Sequence, residues 1–300
     1  MTTMIVPMEA AHVPQAAELF RAAYQRERRC SPLLPPEPLG GAEALREHLL
    51  GDVENSGVVA VEDGRLVGYL CVGGRFPFKG LSAALFREHC HAAAPGREPS
   101  LLPELYAALG EILIQQGVQL HIVAHLASDG ELKETLFQLG FGAFVTERLR
   151  DLSPVPGAAR APLSPMEDPE ELVALEMEHR RYYRQSPIFL SKNDSPEAAL
   201  AGLREDRDSG RTVLVYREHG NPSAYVVVGP CAAEEEGHLL LGSNTAQVCS
   251  AYATPSVRGR GIGKALLQGC VDWARRGGYE RLFVEHETAN LAGRRKLGRY

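Results

Sequence analysis

The chain has 300 residues, of which 44% are hydrophobic and 23% are charged, and its formal net charge is −6. This length suggests two domains of about 150 residues each, with enough apolar residues for real cores. The chain has no segment of about 20 apolar residues, so we expect no membrane helix. It also has no extended basic run, which argues against nucleic acid as a partner. The first residues lack a signal-peptide pattern and the six cysteines lack paired spacing, so we expect reduced thiols and a cytoplasmic protein.

Helical and strand patterns alternate in the first half of the chain. Apolar residues recur at helical spacing in four segments, which predicts helices over 14–28, 43–50, 102–116 and 130–139. A hairpin at Asp63-Gly64 is predicted to join strands at 58–61 and 66–72, and 121–126 reads as a buried strand.

The second half repeats this order of elements. Helices are predicted over 169–183 and 196–208, and paired strands over 211–217 and 224–228. A further strand at 247–254 leads into a glycine-rich turn, which is followed by an amphipathic helix and then by a strand at 282–287.

Similarity between the halves extends to individual segments. Residues 29–34 align with 184–189 and residues 121–125 align with 282–286, at an offset near 155 that drifts to about 161. A long period with two copies indicates duplicated domains rather than a solenoid. Because prolines and small residues of 153–162 suit a linker, we predict a first domain at 1–152, a linker at 153–165 and a second domain at 166–300.

The glycine-rich turn is the most informative motif of the chain. Its three glycines lack Cβ atoms, so the backbone can close around a ligand. The following helix presents unpaired N–H groups and the positive end of its dipole, and two arginines and a lysine add charge. These properties predict a site for an anion such as a diphosphate. We call this segment the cradle, and it comprises Arg258, Gly259, Arg260, Gly261, Ile262, Gly263 and Lys264.

Spacing distinguishes the cradle from two other phosphate-binding motifs. A P-loop requires Ser or Thr after Gly-Lys, but Ala265 stands there. The dinucleotide fingerprint Gly-x-Gly-x-x-Gly fails because the third glycine comes one residue early. The segment resembles instead the acyl-CoA loop of the GNAT acetyltransferase superfamily, Arg/Gln-x-x-Gly-x-Gly/Ala, with Arg258, Gly261 and Gly263 in the defined positions. Residues 252–257 and 282–290 also resemble the flanking segments of that family.

This resemblance implies a fold and an activity. The fold is α+β (mixed α/β): two GNAT-like domains, each a mixed, mostly antiparallel sheet flanked by helices. The implied activity is N-acetyl transfer from acetyl-CoA, as cosubstrate, to a primary amine of a small molecule or peptide, without a metal. The implied cofactor contacts are the cradle and Ala251, Tyr252, Ala253, Val257 and Asn290. A backbone N–H within 250–252 would polarise the thioester carbonyl, which makes Tyr252 a catalytic candidate.

The general base has two candidates on one strand. Glu285 and Glu287 alternate with His286, so the carboxylates face one side of the sheet and the imidazole faces the other. Glu285 is the base if the carboxylate side lines the cleft, and His286 is the base if it does not.

In the first half, the position of the loop has lost the features of an anion site. Residues 93–100 keep a single glycine, Glu98 adds negative charge, and Pro99 removes a backbone donor. We interpret this half as a degenerate copy that shapes the substrate cleft or stabilises its partner, and we expect one cofactor per chain. A second, non-standard active site is the alternative.

Other polar clusters carry weaker predictions. His89 and His91 lie on the opposite face of a supposed strand from Cys90, with His121 and His125 further along the chain. No carboxylate or thiol spacing completes a site, so we expect no metal. Tyr182 and Tyr183 either line a pocket for the amine or pack on a helix face, with Phe189 nearby. Residues 234–236 form an acidic loop that is either simply solvated or attracts a cationic amine.

The end of the chain departs from the family pattern. The family continues beyond the helix that opens at Asn290 and often carries an aromatic residue in it, whereas Lys296 and Leu297 stand here and Tyr300 is last. We therefore expect either a second domain without the family's last strands or a chain that is a fragment. The leading hypothesis is an acetyl-CoA-dependent N-acetyltransferase, and the alternative is a non-catalytic acyl-CoA-binding or sensor protein.

Overall fold

A computed structural model describes residues 2–190, 195–231, 241–242, 244–291 and 293. These residues form two compact units, Met1–Gly142 and Ala143–Tyr300. The proline-rich segment at 153–162 belongs to the second unit, where Val155 is buried in the core.

The first unit contains four helices and seven strands among its described residues. The helices are α1 (Val13–Cys30), α2 (Ala42–Asn55), α3 (Glu98–Gln115) and α4 (Gly130–Gln138). The strands are β1 (Met4–Pro7), β2 (Gly57–Glu62), β3 (Arg65–Cys71), β4 (Gly74–Phe78), β5 (Leu81–Phe86), β6 (His91–Ala93) and β7 (Leu120–Val123). They form one sheet in the order β1-β2-β3-β6 and another in the order β4-β5-β7, in which β5 and β7 run parallel.

The sequence did not predict the β4–β5 hairpin. Its strands pair from Gly74↔Leu85 to Phe78↔Leu81 across a turn at Lys79-Gly80. Both turn residues have positive φ, 51° and 79°, which is the conformation that closes a tight hairpin. Lysine is an uncommon residue there, so the sequence signal for this turn is weak.

Helix α3 begins earlier than predicted, at Glu98 rather than near residue 102. Glu98 and Pro99 therefore lie in the first helical turn and not in a loop. Proline is well tolerated there because its missing N–H would have no intrahelical partner.

The prediction that His89 to His91 lie on a strand is wrong for the first two residues, which belong to a 3-10 turn at Glu88–Cys90. This turn separates β5 from β6. His89 Nε2 lies 2.9 Å from Asp52 Oδ2 in the core, and the ligand atoms of Asp52, Cys71 and Cys90 lie within 4.8 Å of one another. Alternation along a strand therefore no longer argues against a metal, and the expectation that the chain holds none stays a prediction.

The second unit contains one six-stranded sheet. Its strands are β8 (Val145–Asp151), β9 (Leu163–Pro165), β10 (Thr212–Glu218), β11 (Asn221–Pro230), β12 (Thr245–Ala253) and β13 (Arg281–Glu287), in the order β8-β13-β12-β11-β10-β9. The pairing of β12 with β13 is parallel and the other pairings are antiparallel. The helices are α5 (Val173–Arg184), α6 (Pro196–Asp208) and α7 (Ile262–Arg276).

Two apolar clusters fix the helices to opposite faces of this sheet. Alternate residues of β11 separate them: Val226 packs with Leu266 of α7, whereas Tyr225 packs with Leu175 of α5 and Leu203 of α6. Because side chains alternate along a strand, one face carries α7 and the other carries α5 and α6. Each unit thus has two helices, paired strands, a third strand, a helix and a further strand in the same order, as the internal repeat predicts.

Candidate active site

The cradle joins the end of β12 to the start of α7. Gly259 and Gly261 have φ of 79° and 86°, in the left-handed region that favours glycine. Gly261 is the N-cap of α7, and its carbonyl accepts hydrogen bonds from the N–H groups of Lys264 and Ala265. In the described part of the chain, the N–H groups of Gly259, Arg260 and Gly261 have no hydrogen-bond acceptor. These free donors at a helix N-terminus can hold an anion.

Each of the three cradle cations has a partner within the second unit. Arg258 donates from Nε to the Ala253 carbonyl at 2.9 Å and stacks its guanidinium over two tyrosine rings. Arg260 forms an ion pair with Glu218. Lys264 donates to the carbonyl of Pro156 at 2.8 Å. Arg260 and Lys264 keep further N–H donors beside these contacts, so their side chains can add to the backbone donors in holding an anion.

Val257 and Ile262 differ from the other predicted cofactor contacts. Their side chains are 0% and 6% exposed and belong to the core beneath α7. Each anchors one end of the cradle to the sheet, so the pair fixes the position of the loop.

A gap opens between β12 and β13 next to the cradle. The two strands pair from Thr245↔Arg281 to Val248↔Val284 and no further. Cys249 is an extra residue on β12, because Val227 and Val228 of β11 face Ser250 and Val248. A bulge of this kind bends its strand. The bend coincides with the point where the strands part, so beyond it the edge of β12 is not covered by β13.

The ladder between β11 and β12 determines which amides face this gap. Thr254 donates to Ser223, so by antiparallel alternation the N–H of Tyr252 also points toward β11. Ala251 and Ala253 point their N–H and C=O groups the other way, into the gap. Within 250–252, the amide that faces the gap is therefore that of Ala251, and the catalytic role expected of Tyr252 stays a prediction.

The two candidate bases differ in their surroundings. Glu285 is exposed and lies opposite Glu147 in the ladder between β13 and β8. His286 is 7% exposed, and neither of its ring nitrogens has a hydrogen-bond partner among the described residues. Buried polar atoms usually have partners, so this imidazole has unused capacity for a ligand or a proton.

A polar cluster that the sequence did not predict lies on the α5 side of the sheet. Tyr225 is 1% exposed, and its hydroxyl contacts the Glu176 carboxylate and His179 Nδ1, the latter at 2.8 Å. Arg180 donates to the same carboxylate at 2.8 Å. Burial raises the pKa of Glu176, but the hydrogen bonds of His179 and Tyr225 and the Arg180 guanidinium outweigh it and lower that pKa to about 2. Glu176 is therefore ionised at neutral pH.

This cluster reaches the gap through Tyr252. The Tyr252 side chain is 8% exposed and stacks on His179 with ring centroids 5.1 Å apart. Burial is the main reason that the pKa of Tyr252 is raised. One sequence signal was available: His179 and Glu176 stand three residues apart on the side of α5 that carries Leu172 and Leu175.

Two tyrosines of α5 connect this side to the end of β13. Tyr182 donates to Asn290 Oδ1 at 2.9 Å, and Asn290 Oδ1 also accepts from the N–H of Gly293 at 3.0 Å. Asn290 therefore serves as a local cap. Burial, followed by Glu287, raises the pKa of Tyr183. Phe189 is 71% exposed, and residues 234–236, 296, 297 and 300 lie outside the described residues.

Comparisons with known proteins agree with this architecture. Residues 173–296 match the model of the Acetyltransferase (GNAT) family. A GCN5-related N-acetyltransferase from Sphaerobacter thermophilus is 17% identical to this chain with a TM-score of 0.56. The match covers 97% of this chain and 88% of the other chain. A second structure is described as a GCN5-related glucosamine N-acetyltransferase region in a fungal multi-domain GH3 β-N-acetylglucosaminidase. That structure is 12% identical to this chain with a TM-score of 0.53, and the match covers 99% of this chain and 36% of the other chain. No curated protein sequence matches the chain significantly.

Identities this low show a common fold and not a common substrate. The fold supports acyl transfer from an acyl-CoA. Among the described residues, every helix is too short or too polar to span a bilayer. The second unit is a domain of the GNAT acetyltransferase family, and the chain as a whole folds as two GNAT-like units.

Proposed function

We propose that the second unit is an N-acetyltransferase that moves the acetyl group of acetyl-CoA to a primary amine by direct attack on the thioester. The observation that carries this proposal is the gap between β12 and β13, which begins at the Cys249 bulge and adjoins the cradle. Acetyl-CoA, the acyl donor, carries a diphosphate and an extended amide chain that ends in the thioester. The diphosphate needs an anion site and the amide chain needs an uncovered strand edge, and the two sites must be adjacent.

The chain supplies a group for each part of this donor. Free N–H groups at the start of α7 face a diphosphate, and the edges of Ala251 and Ala253 face an amide chain. The Ala251 N–H stabilises negative charge on the thioester oxygen in the transition state. Holding the amine next to the thioester supplies the remaining rate acceleration through proximity.

We assign the general base to His286. Its ring nitrogens have no partner among the described residues, and it lies on β13 two residues beyond the last pair with β12. The amine nitrogen forms a bond to the acetyl carbon while the imidazole takes its proton. The carbon–sulfur bond then breaks, and the thiolate leaves and takes up a proton.

Binding and turnover test these two parts separately. Gly263 does not have positive φ, so a side chain there causes no backbone strain. Gly263→Glu should weaken acetyl-CoA binding at least tenfold relative to Gly263→Gln, because the two differ by one negative charge beside the diphosphate. Equal affinity of both variants, measured calorimetrically, would remove the cradle from the proposal.

Thiol release with a panel of polyamines, aminoglycosides, amino acids and peptides tests the chemistry. We expect turnover with at least one acceptor, and a loss of about 10²-fold or more in His286→Gln without loss of acetyl-CoA binding. A similar loss in Glu285→Gln, with His286→Gln active, would transfer the role to the carboxylate. Tight binding of acetyl-CoA without turnover across the panel would favour the acyl-CoA sensor instead.

A further inference from the structure

The first unit contains a cavity of about 460 Å³ at the end of β6. It lies where β6, the start of α3 and the segment after β7 meet, which is the same place in the order of elements as the gap and cradle of the second unit. Its volume lies in the range of small-molecule sites. Because the cavity lies at this place in the order of elements, it is a feature of the fold of this unit and not an accidental packing defect.

The walls of the cavity combine apolar side chains with an uncovered strand edge. Leu102 and Leu105 of α3 and Leu126 and Leu132 line it. Ala94 donates to Val67, so by antiparallel alternation the N–H and C=O groups of His91 and Ala93 point away from β3. A ligand with an apolar body and a polar head suits such walls.

Glu27 determines which charge the polar head of the ligand should have. It lines the cavity and is 4% exposed. The hydrogen-bond donors to its carboxylate are neutral: the Ser31 hydroxyl at 2.9 Å, and the N–H (2.9 Å) and hydroxyl of Ser128. Within the described residues, no Lys, Arg or His forms an ion pair with it. A buried carboxylate without a counter-ion is unusual and points to a cation supplied from outside.

Three other acidic groups of the cavity have a partner or a favourable position in a helix. Glu98 pairs with Arg26 at 3.2 Å, and Asp129 caps α4 through the N–H of Leu132 at 2.8 Å. Glu131 lies in the first turn of α4, where the helix dipole favours an acidic side chain. Glu27 is the one buried carboxylate in the described lining of the cavity, and its partners there are all neutral. The acidic lining opposes an anion such as a diphosphate.

We infer that the first unit binds a small organic ammonium ion in this cavity, with the ammonium against Glu27 and the apolar body against the leucines. This site does not depend on acetyl transfer in the second unit. It gives the first unit a ligand of its own, of charge opposite to that of the cofactor bound by its partner domain.

Titration of the full chain with benzylammonium at constant ionic strength tests this inference. Benzyl alcohol and benzoate serve as neutral and anionic analogues of similar shape. We expect saturable binding of benzylammonium, with the alcohol at least tenfold weaker and benzoate not bound. Equal binding of the alcohol, or no saturable binding of benzylammonium, would overturn the inference.

Variants separate this site from amine binding elsewhere in the chain. Glu27→Gln should weaken benzylammonium at least tenfold, whereas Glu18→Gln, on the exposed side of the same helix, should leave binding unchanged. Ala23→Leu fills the cavity while keeping Glu27, so it should also abolish binding if Glu27→Gln proves unstable. Unchanged binding in a folded Glu27→Gln or Ala23→Leu protein would place the amine in another site.

Discussion

Replacing Glu176 by glutamine tests the electrostatics of the cluster beneath Tyr252. The Glu176 side chain is 14% exposed and receives hydrogen bonds from Tyr225, His179 and Arg180. Glutamine has nearly the same shape as a protonated carboxyl group. The substitution therefore removes the charge and keeps the packing.

The pKa of Glu176 sets the size of the effect. This pKa falls from its ordinary value of 4.5 to about 2 in the folded protein, so folding favours the ionised carboxylate. The shift is worth roughly 3 kcal/mol at pH 7, and the contribution falls to about half of that at pH 3. Because the folded pKa is depressed, the stabilisation is present above pH 4.5 and is lost as the pH falls toward 2.

Tryptophan fluorescence can report the second unit alone. The chain has one tryptophan, and Trp273 lies on α7, hydrogen-bonded to Thr212 at 2.8 Å. Urea unfolding followed through Trp273 should show Glu176→Gln less stable by roughly 3 kcal/mol at pH 7 and by half of that at pH 3. Glu205→Gln, an exposed position on α6, should change the free energy of unfolding little at either pH. A cost below about 1 kcal/mol at pH 7, or the same cost at both pH values, would refute the reasoning.

Three further predictions concern the same unit and its cofactor. Tyr225→Phe leaves the buried Glu176 and His179 without the hydroxyl, so it should cost about 1.5–3 kcal/mol in the same urea assay, and a cost below about 0.5 kcal/mol would contradict the cluster. Gly261→Ala places a side chain at φ 86° and should cost about 1–2 kcal/mol, whereas Gly263→Ala should not destabilise α7; equal effects would argue against the left-handed cap. Calorimetry should find one acetyl-CoA per chain, and a stoichiometry of two would make the first unit a second cofactor site.

The sequence predicts the elements that have strong local patterns. The cradle has glycines at the two positions where the backbone is left-handed, and a regular apolar stripe marks α7 as buried. Alternation of Glu285, His286 and Glu287 correctly indicates a strand, because burial differs between its two faces. Each of these features depends on residues that are close together in the chain, so the sequence alone is enough to predict it.

The remaining site features depend on contacts that are distant in sequence. Glu176 meets Tyr225 across 49 residues, and the gap arises from a bulge at Cys249 that no residue type marks. The ladder register decides which amide faces the gap, so the sequence named Tyr252, whereas the N–H of Ala251 points into the gap. Pairing register is a property of two strands, so one strand's sequence does not reveal it.

The two units show how one order of elements can be given opposite charge preferences. Helix α7 starts with Gly261 as its cap and free N–H groups before it, whereas α3 starts with Glu98 and Pro99, which supply a carboxylate and remove a donor. After the next strand, Asn290 and Asp129 both cap the following segment, and only Asp129 is charged. Few side chains are needed for this difference, because the backbone setting is the same in both units: an uncovered strand edge next to a helix N-terminus. We infer that the helix starts, together with the buried Glu27 of the first unit, favour an anion in the second unit and a cation in the first.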